Sequence, residues 1–194
     1  MNLPSYFQQI KSMPDDPEGS SAFMTGADTF EAFAIQHPIP IEHAMPTNDD
    51  WTIINGIHNT VTESQALIEV KSGKTKCGNQ YVYSIVKTKM EPHGVQYTLV
   101  LHLLHDNKGT AEQFKAFFSE AGTTGVRDTV IHSALVNEGI IESEDPRWMR
   151  DPYDENIKDR FLMNLSELEQ FDQNFPTHPL SVARRTIHEI VENN

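Results

Sequence analysis

Hydrophobic and polar residues alternate most clearly in the middle of the chain, where three runs follow the two-residue period of β-strands. These runs read "QALIEVKSGKT" from Gln65, "NQYVYSIVKTKM" from Asn79 and "VQYTLVLHLLH" from Val95. Short glycine-bearing turns, "KTKCGN" and "EPHG", connect them, which favours antiparallel neighbours in a meander. The third run is largely apolar on both of its faces, so its sheet needs cover on both sides.

The residues before this meander predict a hairpin followed by a helix. Residues 21–40 contain short apolar runs around a glycine-bearing turn, which favours two strands. Pro38 and Pro40 have no backbone N–H to donate, so the end of the second strand should lie at a sheet edge. Asn48 or Asp49 can cap a helix whose apolar residues then recur at about helical spacing.

Three further stretches predict helices. Residues 110–122, "TAEQFKAFFSEAG", combine a capping-box pattern at Thr110 and Gln113 with an apolar stripe at helical spacing. Residues 125–139 predict a second helix that ends at a glycine, and residues 179–191 predict a third that starts with a proline. The residues expected to face inward on the second helix are Val126, Val130, Ala134 and Leu135.

Together these elements predict an α+β fold in which an antiparallel β-sheet is covered by helices on both faces, an α/β/α sandwich. The sandwich is expected over residues 20–140. Residues 1–19 should form a short helix and a linker, because a small amphipathic piece there is followed by "MPDDPEGSS". Residues 141–194 should form an aromatic strap and a terminal helix, both packed on the domain.

Charge and cysteine content narrow the expected partners and compartment. The chain has 194 residues, one cysteine (Cys77) and a formal net charge of −13. Such an excess of acids repels nucleic-acid phosphates and anionic membrane surfaces, so we expect neither as a partner, whereas a protein partner or self-association fits. The sequence shows no signal-peptide pattern and no apolar run of about 20 residues, which predicts a cytoplasmic protein.

Nine histidines raise the question of a metal site, but their spacing does not support one. His102 and His105 are three residues apart in a predicted strand and should point to opposite faces. No zinc, calcium or phosphate-loop pattern occurs, and Cys77 has no identifiable base beside it. The sequence therefore favours a protein without catalysis, metal or cofactor. A small-molecule or metal-dependent hydrolase using His37, His43, His102 and nearby acids is the enzymatic alternative.

The aromatic strap, residues 144–176, carries rings at intervals in an otherwise polar and acidic sequence. Each ring can anchor in a pocket while the polar links between them stay in water. Two interpretations are open: the rings dock on the chain's own domain or a second copy of it, or they form one wall of a groove for a partner. The rings are Trp148, Tyr153, Phe161, Phe171 and Phe175.

The order of these elements resembles that of the PsbP/Mog1-like proteins. The matching stretches are "FEAFAIQHPIP", an early strand that runs into prolines, the helix "DDWTIINGIH", and the meander ending in "GVQYTLVLHLL". The resemblance implies an α/β/α sandwich among mostly non-enzymatic binding, assembly or regulatory proteins, and it transfers no functional residue. We therefore expect a non-catalytic binding or assembly module, with a structural homodimer formed by tail exchange as a further alternative.

Overall fold

Seven strands form one antiparallel sheet in the computed structural model, which describes residues 1–105 and 109–194. The strands are β1 (Gln8–Ile10), β2 (Ser21–Ala27), β3 (Phe30–Pro40), β4 (Gln65–Lys74), β5 (Gln80–Lys89), β6 (Val95–His105) and β7 (Thr110–Glu120). They lie side by side in the order β1-β2-β3-β7-β6-β5-β4. The predicted hairpin (β2 and β3) and the predicted meander (β4 to β6) are both confirmed.

Three α-helices lie in the described residues, each where the sequence predicts one: α1 (Asp50–His58), α2 (Val126–Asn137) and α3 (Pro179–Asn193). Asp49 caps α1, since its carboxylate accepts the backbone N–H of Thr52 at 3.1 Å. The C-terminal part also contains a two-stranded ribbon of β8 (Met149–Arg150) and β9 (Met163–Asn164). Short 3-10 helices span Ile41–His43, Pro146–Trp148, Leu165–Glu167 and Glu169–Asn174.

The helix predicted over residues 110–122 is wrong, because Thr110–Glu120 is strand β7. Phe114, Ala116 and Phe118 are fully buried at the two-residue period of a strand. The same residues also fit a helical stripe, so the local pattern does not decide between the two structures. Pairing decides it: β7 lies between β3 and β6 and forms a full antiparallel ladder with each.

The short helix predicted within residues 1–19 is also wrong. Gln8–Ile10 is a strand that pairs with β2, and the structure shows no helix before it. Phe7 turns into the core, where its ring meets Phe114 edge-on at 5.7 Å between centroids. Backbone hydrogen bonds to the edge of β2 therefore take the place of the helix that the amphipathic pattern suggested.

The prolines at the end of β3 lie as the sequence predicts, although β3 itself is inside the sheet. β2 pairs with β3 only as far as Gln36. Beyond that residue, Pro38 and Pro40 have β7 on one side, and on the other side no strand of the described residues pairs with them. A missing N–H therefore costs no bond to a neighbouring strand.

The predicted helices on both faces of the sheet are confirmed. On the face that we call the closed face, α3 lies across β3, β6 and β7 and buries Leu180, Ala183, Ile187 and Ile190 against them. These residues recur every three or four positions, which places them on one side of the helix. The face is filled further by residues of β5 to β7, namely Ile85, Tyr97, Leu99, Leu101, Phe114 and Phe118.

On the opposite face, which we call the open face, α1 packs on one end of the sheet. Ile53 and Ile54 of α1 form a second core with Leu67, Val70 and Val82. Most contacts of α1 are with β4, the last strand of the sheet. The side chains that β3, β6 and β7 direct to this face in their central parts are half-exposed or exposed, so cover on the open face is incomplete.

Helix α2 stands apart from the sheet and packs on the C-terminal segment. Its buried residues are Arg127 and Ile131, whereas Val126 and Val130 are 45% and 49% exposed. The prediction that Val126 and Val130 face inward is therefore wrong. The helix is held mainly through a buried guanidinium instead of an apolar stripe, and periodicity alone does not reveal such an arrangement.

Candidate functional site

A row of half-exposed side chains crosses five strands of the open face. Strand register pairs Met24 with Phe33, Phe33 with Phe117, Phe117 with Thr98, and Thr98 with Val86. Their neighbours along each strand point to the closed face, because successive side chains of a strand alternate. We call this row and the two apolar residues beside it the open surface, which consists of Met24, Phe33, Ile35, Val86, Thr98, Val100 and Phe117.

Two depressions give the open surface a concave shape. The larger, of about 450 Å³, lies between the sheet and the end of α1 and is lined in part by Ile57 and Val61. The smaller, of about 250 Å³, lies beside Phe33 and Phe117. The cation of Lys115 lies 5.3 Å from the centre of the Phe117 ring. A concave surface with this many apolar side chains has the character of a binding surface.

A buried histidine closes one end of this face. His102 is 3% exposed, its Nδ1 accepts the backbone N–H of Met45 at 2.8 Å, and its Nε2 lies 2.8 Å from the amide of Gln113. His37 Nε2 lies 3.1 Å from the same amide. Burial, and next the nearby His37, lower the pKa of His102 to about 4. The neutral ring is therefore a structural link between β6, β7 and the chain before α1.

The histidines of the hydrolase hypothesis do not form a metal cluster. His37 and His102 share the Gln113 amide between them, and His43 lies on the 3-10 helix Ile41–His43. Among residues 1–105 and 109–194, no three His, Cys, Asp or Glu side chains lie close enough together to hold a metal ion.

The closed face contains a polar network that sequence reasoning missed. Glu167, fully buried, accepts the Tyr97 hydroxyl at 2.6 Å and the backbone N–H of Asn164 at 2.8 Å, and it lies 3.0 Å from the ammonium of Lys87. Burial, and next the charge of Glu167, raise the pKa of Tyr97 well above its ordinary value. The group joins β5 and β6 to the C-terminal segment, which carries Glu167.

A second part of the network joins β4 to α3. Arg184 donates to Glu69 at 2.8 Å and to Asp172 at 3.2 Å, and Tyr83 also donates to Glu69. Burial opposes the charge of Glu69, but Arg184 and hydrogen bonds from Lys71 and Tyr83 outweigh it and lower the pKa of this carboxyl. The charges therefore pair within the fold and hold α3 on the sheet.

Arg127 connects α2 to the same C-terminal segment. Its guanidinium donates to Ser166 O at 2.8 Å, to Ser181 Oγ at 2.9 Å and to Leu168 O at 3.2 Å, and it lies 2.9 Å from a carboxylate oxygen of Asp172. These contacts use a large part of the five N–H donors of the guanidinium. We interpret Arg127 as a structural clamp, since its donors point into the protein.

A cleft of about 440 Å³ opens beside this clamp, between the β2–β3 turn and the start of α3. On its wall, His178 Nε2 lies 3.7 Å from Glu120. Glu120 also accepts the backbone N–H groups of Gly125 at 3.0 Å and Val95 at 3.2 Å, while His178 Nδ1 accepts that of Leu180 at 3.3 Å. Burial opposes the charge of Glu120, but His178 and the hydrogen bonds from Gly125 and Val95 outweigh it and lower the pKa of this carboxyl. The pair thus secures the starts of α2 and α3.

The rings of the aromatic strap contact the chain's own elements at separate places. Tyr153 packs beside the α1–β4 core, and its hydroxyl accepts the backbone N–H of Val70 at 2.7 Å. The ring of Phe161 lies 4.5 Å from the Lys87 ammonium.

The other three rings lie elsewhere. Trp148 meets His132 of α2 edge-on at 4.8 Å, and Phe175 lines the cleft with its centre 6.0 Å from the Arg127 guanidinium. Phe171 is half-buried in the 3-10 helix Glu169–Asn174. The five rings therefore do not gather into one site.

The sequence contains one weak signal of the open surface. Phe117 and Phe118 are adjacent aromatic residues, so if their segment is a strand, one of the rings must lie on each face. The local pattern predicts a helix over residues 110–122, and a helix would not divide these two rings between opposite faces of a sheet. The same argument applies to β3. Ala32 and Ala34 face the closed side, so Phe33 and Ile35 must lie on the open face.

No known family model matches this chain, and no curated protein matches it. Among solved structures, one that is similar is the crystal structure of PA94, a protein of unknown function from Pseudomonas aeruginosa. The alignment has a TM-score of 0.39 and 10% sequence identity, and it covers 70% of this chain and 94% of PA94. In the described residues, no helix is both long enough and apolar enough to cross a membrane.

Proposed function

We propose that this chain is a non-catalytic binding module that holds an apolar segment of a partner protein on the open surface. The observation that carries the proposal is the cross-strand pair Phe33 and Phe117, two rings that are only partly buried in the middle of a sheet. Aromatic side chains at such positions are typical anchors of protein interfaces.

The chemistry of the open surface favours a mainly apolar occupant. Apolar side chains and neutral threonine and glutamine line most of both depressions. The charged groups there are Glu31 and Lys115, one of each sign. With a net charge of −13 for the whole chain, we expect basic residues on the partner outside the apolar segment.

The polar groups outside the open surface support a binding role better than a catalytic one. Glu167, Arg184 and Arg127 are engaged in pairs that hold helices together. The His178–Glu120 pair is engaged by backbone amides at the starts of two helices. A hydrolase would need one of these groups to be released toward a substrate. The PsbP/Mog1 resemblance, a cytoplasmic location and tail exchange between two copies stay predictions.

Site-specific photo-crosslinking tests the proposal. A photoreactive phenylalanine at position 117 should form an adduct with one protein in the native cell, whereas the same group at position 130 on α2 should not. The adduct peptide, once sequenced and synthesised, should bind the wild type at least tenfold more tightly than Phe117→Lys. Val130→Lys, which also adds a charge at an exposed apolar position, should bind like the wild type.

Three outcomes would contradict the proposal. Equal affinity of the peptide for Phe117→Lys and the wild type would show that the peptide does not bind at the open surface. Adducts at both positions would indicate non-specific contact. An adduct of position 117 with a second copy of this chain would replace the partner by a homodimer.

A further inference from the structure

The two edges of the sheet differ in length. β1, at one edge, has three residues, whereas β4, at the other, has ten. A long edge strand presents a row of backbone N–H and C=O groups that can pair with another strand, and soluble proteins shorten or cover such edges. The short β1 needs little cover, so the question is what protects β4.

The side chain of Tyr153 occupies the middle of the β4 edge. Val70 lies opposite Ser84 in the β4–β5 ladder, and its backbone groups point away from β5. The Tyr153 hydroxyl accepts the Val70 N–H at 2.7 Å and lies 3.4 Å from the Val70 carbonyl oxygen, to which it donates. One hydroxyl thereby makes the two bonds that an added strand would make at this residue.

The strap holds Tyr153 in place through a tight turn. Asp151 Oδ1 accepts the backbone N–H groups of Tyr153 at 2.9 Å and Asp154 at 3.0 Å. Asp151 Oδ2 lies 3.1 Å from Nε2 of His58, at the end of α1. Further along the strap, the backbone N–H of Phe161 donates to the carbonyl oxygen of Glu63, just before β4, at 2.7 Å. The strap is therefore anchored at two points along this edge.

We propose that the β4 edge is a self-pairing surface, that its partner is the β4 strand of a second copy, and that Tyr153 blocks this pairing. The β4 sequence is self-complementary around Val70. In an antiparallel pair with Val70 on the two-fold axis, Lys71 of each copy lies opposite Glu69 of the other. Glu69 is already paired with Arg184 in its own chain, so the half-exposed ammonium of Lys71 adds a second cation beside the partner's carboxylate and no like charges meet. A two-fold pair of this kind joins the two sheets into one continuous sheet.

The backbone edge of β4 is separate from the open surface, so self-pairing does not depend on the binding of a partner there. The strap then acts as a protective segment and not as a docking site for a partner. The segment protects the edge in the single chain, and its release exposes a surface specific for an identical strand.

The main test is the mass of Tyr153→Ala, measured by light scattering during size-exclusion chromatography. Removing the ring and its hydroxyl together opens the edge, so the mass should be twice that of the wild type at equal concentration. Tyr81→Ala is the matched control, since it removes a half-buried ring of the same size from β5 without opening the edge. It should keep the wild-type mass.

A second variant locates the pairing surface. Ser72 lies two residues from Val70, so its N–H also points outward. Proline at this position removes a donor that only an added strand would use. Tyr153→Ala/Ser72→Pro should therefore return to the wild-type mass. A wild-type mass for folded Tyr153→Ala, or a doubled mass for the variant that also carries proline, would overturn the proposal.

Tyr153→Phe tests whether the hydroxyl of Tyr153 protects the backbone groups of Val70, because it removes the hydroxyl and keeps the packing of the ring. Loss of the hydroxyl should increase the hydrogen-exchange rate of the Val70 amide at least tenfold, with little change at the Ile85 amide in the core. Unchanged exchange at Val70 would show that the hydroxyl does not cap the edge, and the proposal would fail even if Tyr153→Ala did not fold.

Discussion

The two faces of the seven-stranded sheet come from the same strands but are completed in different ways. The closed face carries Phe118, fully buried beneath α3 and beside the charge network around Glu167. The open face carries its neighbour Phe117, which is only partly buried and lines the larger depression. Stability should therefore depend on the closed face, and binding on the open one. Four predictions test this division.

Phe118→Ala should have the largest effect of the four. The ring is fully buried and meets Phe7 at 6.4 Å between centroids, so its loss leaves a cavity in the closed face. We expect the free energy of unfolding to fall by about 3–5 kcal/mol. Urea unfolding followed by circular dichroism measures this change. A loss comparable to that of Phe117→Ala would contradict the division between the faces.

Glu167→Gln should destabilise the protein because it leaves the Lys87 ammonium buried without a counter-charge. Lys87 is 2% exposed and lies 3.0 Å from the carboxylate. We expect a loss of about 3 kcal/mol in urea unfolding. The double variant Lys87→Met/Glu167→Gln should recover at least half of this loss, since it removes both charges. If the double variant is less stable than Glu167→Gln, the attraction between the charges is not the main contribution.

His102 should make stability depend on pH in the weakly acidic range. Its pKa is about 4 in the folded chain and ordinarily 6.5, so the unfolded chain binds the proton more readily. Stability should fall as the pH drops from 6.5 to 4, by about 2–3 kcal/mol from this residue, and no further below that range.

His102→Asn is the comparison for this prediction. Its side-chain oxygen can still accept the Met45 N–H, but it does not titrate. The difference in unfolding free energy between the variant and the wild type should change with pH across this range. A constant difference from pH 7 to pH 4 would show that the His102 ring is not kept neutral by the fold.

Phe117→Ala should have the smallest effect of the four. The ring is only partly buried, so its truncation removes less apolar burial than that of the fully buried Phe118. We expect a loss of about 1–2 kcal/mol in urea unfolding. A loss as large as that of Phe118→Ala would indicate that Phe117 belongs to the core, and the open surface would then need another explanation.

Much of the fold follows from local patterns in the sequence. The alternation of hydrophobic and polar residues predicts β4 to β6, and the short turns between these strands predict antiparallel pairing. Capping and spacing predict α1, α2 and α3, with Asp49 and Pro179 at the expected starts. These features depend on residues a few positions apart, which is the range over which sequence reasoning is informative.

The candidate site could not be predicted in the same way. Finding the open surface requires knowing that residues 110–120 form a strand and that the helices leave part of one face uncovered. The network around Glu167 and Arg184 joins residues up to 115 positions apart in the chain. Distances between such residues are set by the topology of the sheet and not by sequence spacing.

Local patterns in the sequence are enough to predict α1 to α3, the antiparallel meander and the need for cover on both sides of the sheet. The tertiary structure decided that residues 110–120 are a strand, because β3 and β6 offer ladders to both of its edges. It also decided which face is completed by buried charges and which is left with half-exposed rings. The physical reason is that one local pattern can satisfy a helix and a strand, and only long-range pairing and burial distinguish their free energies.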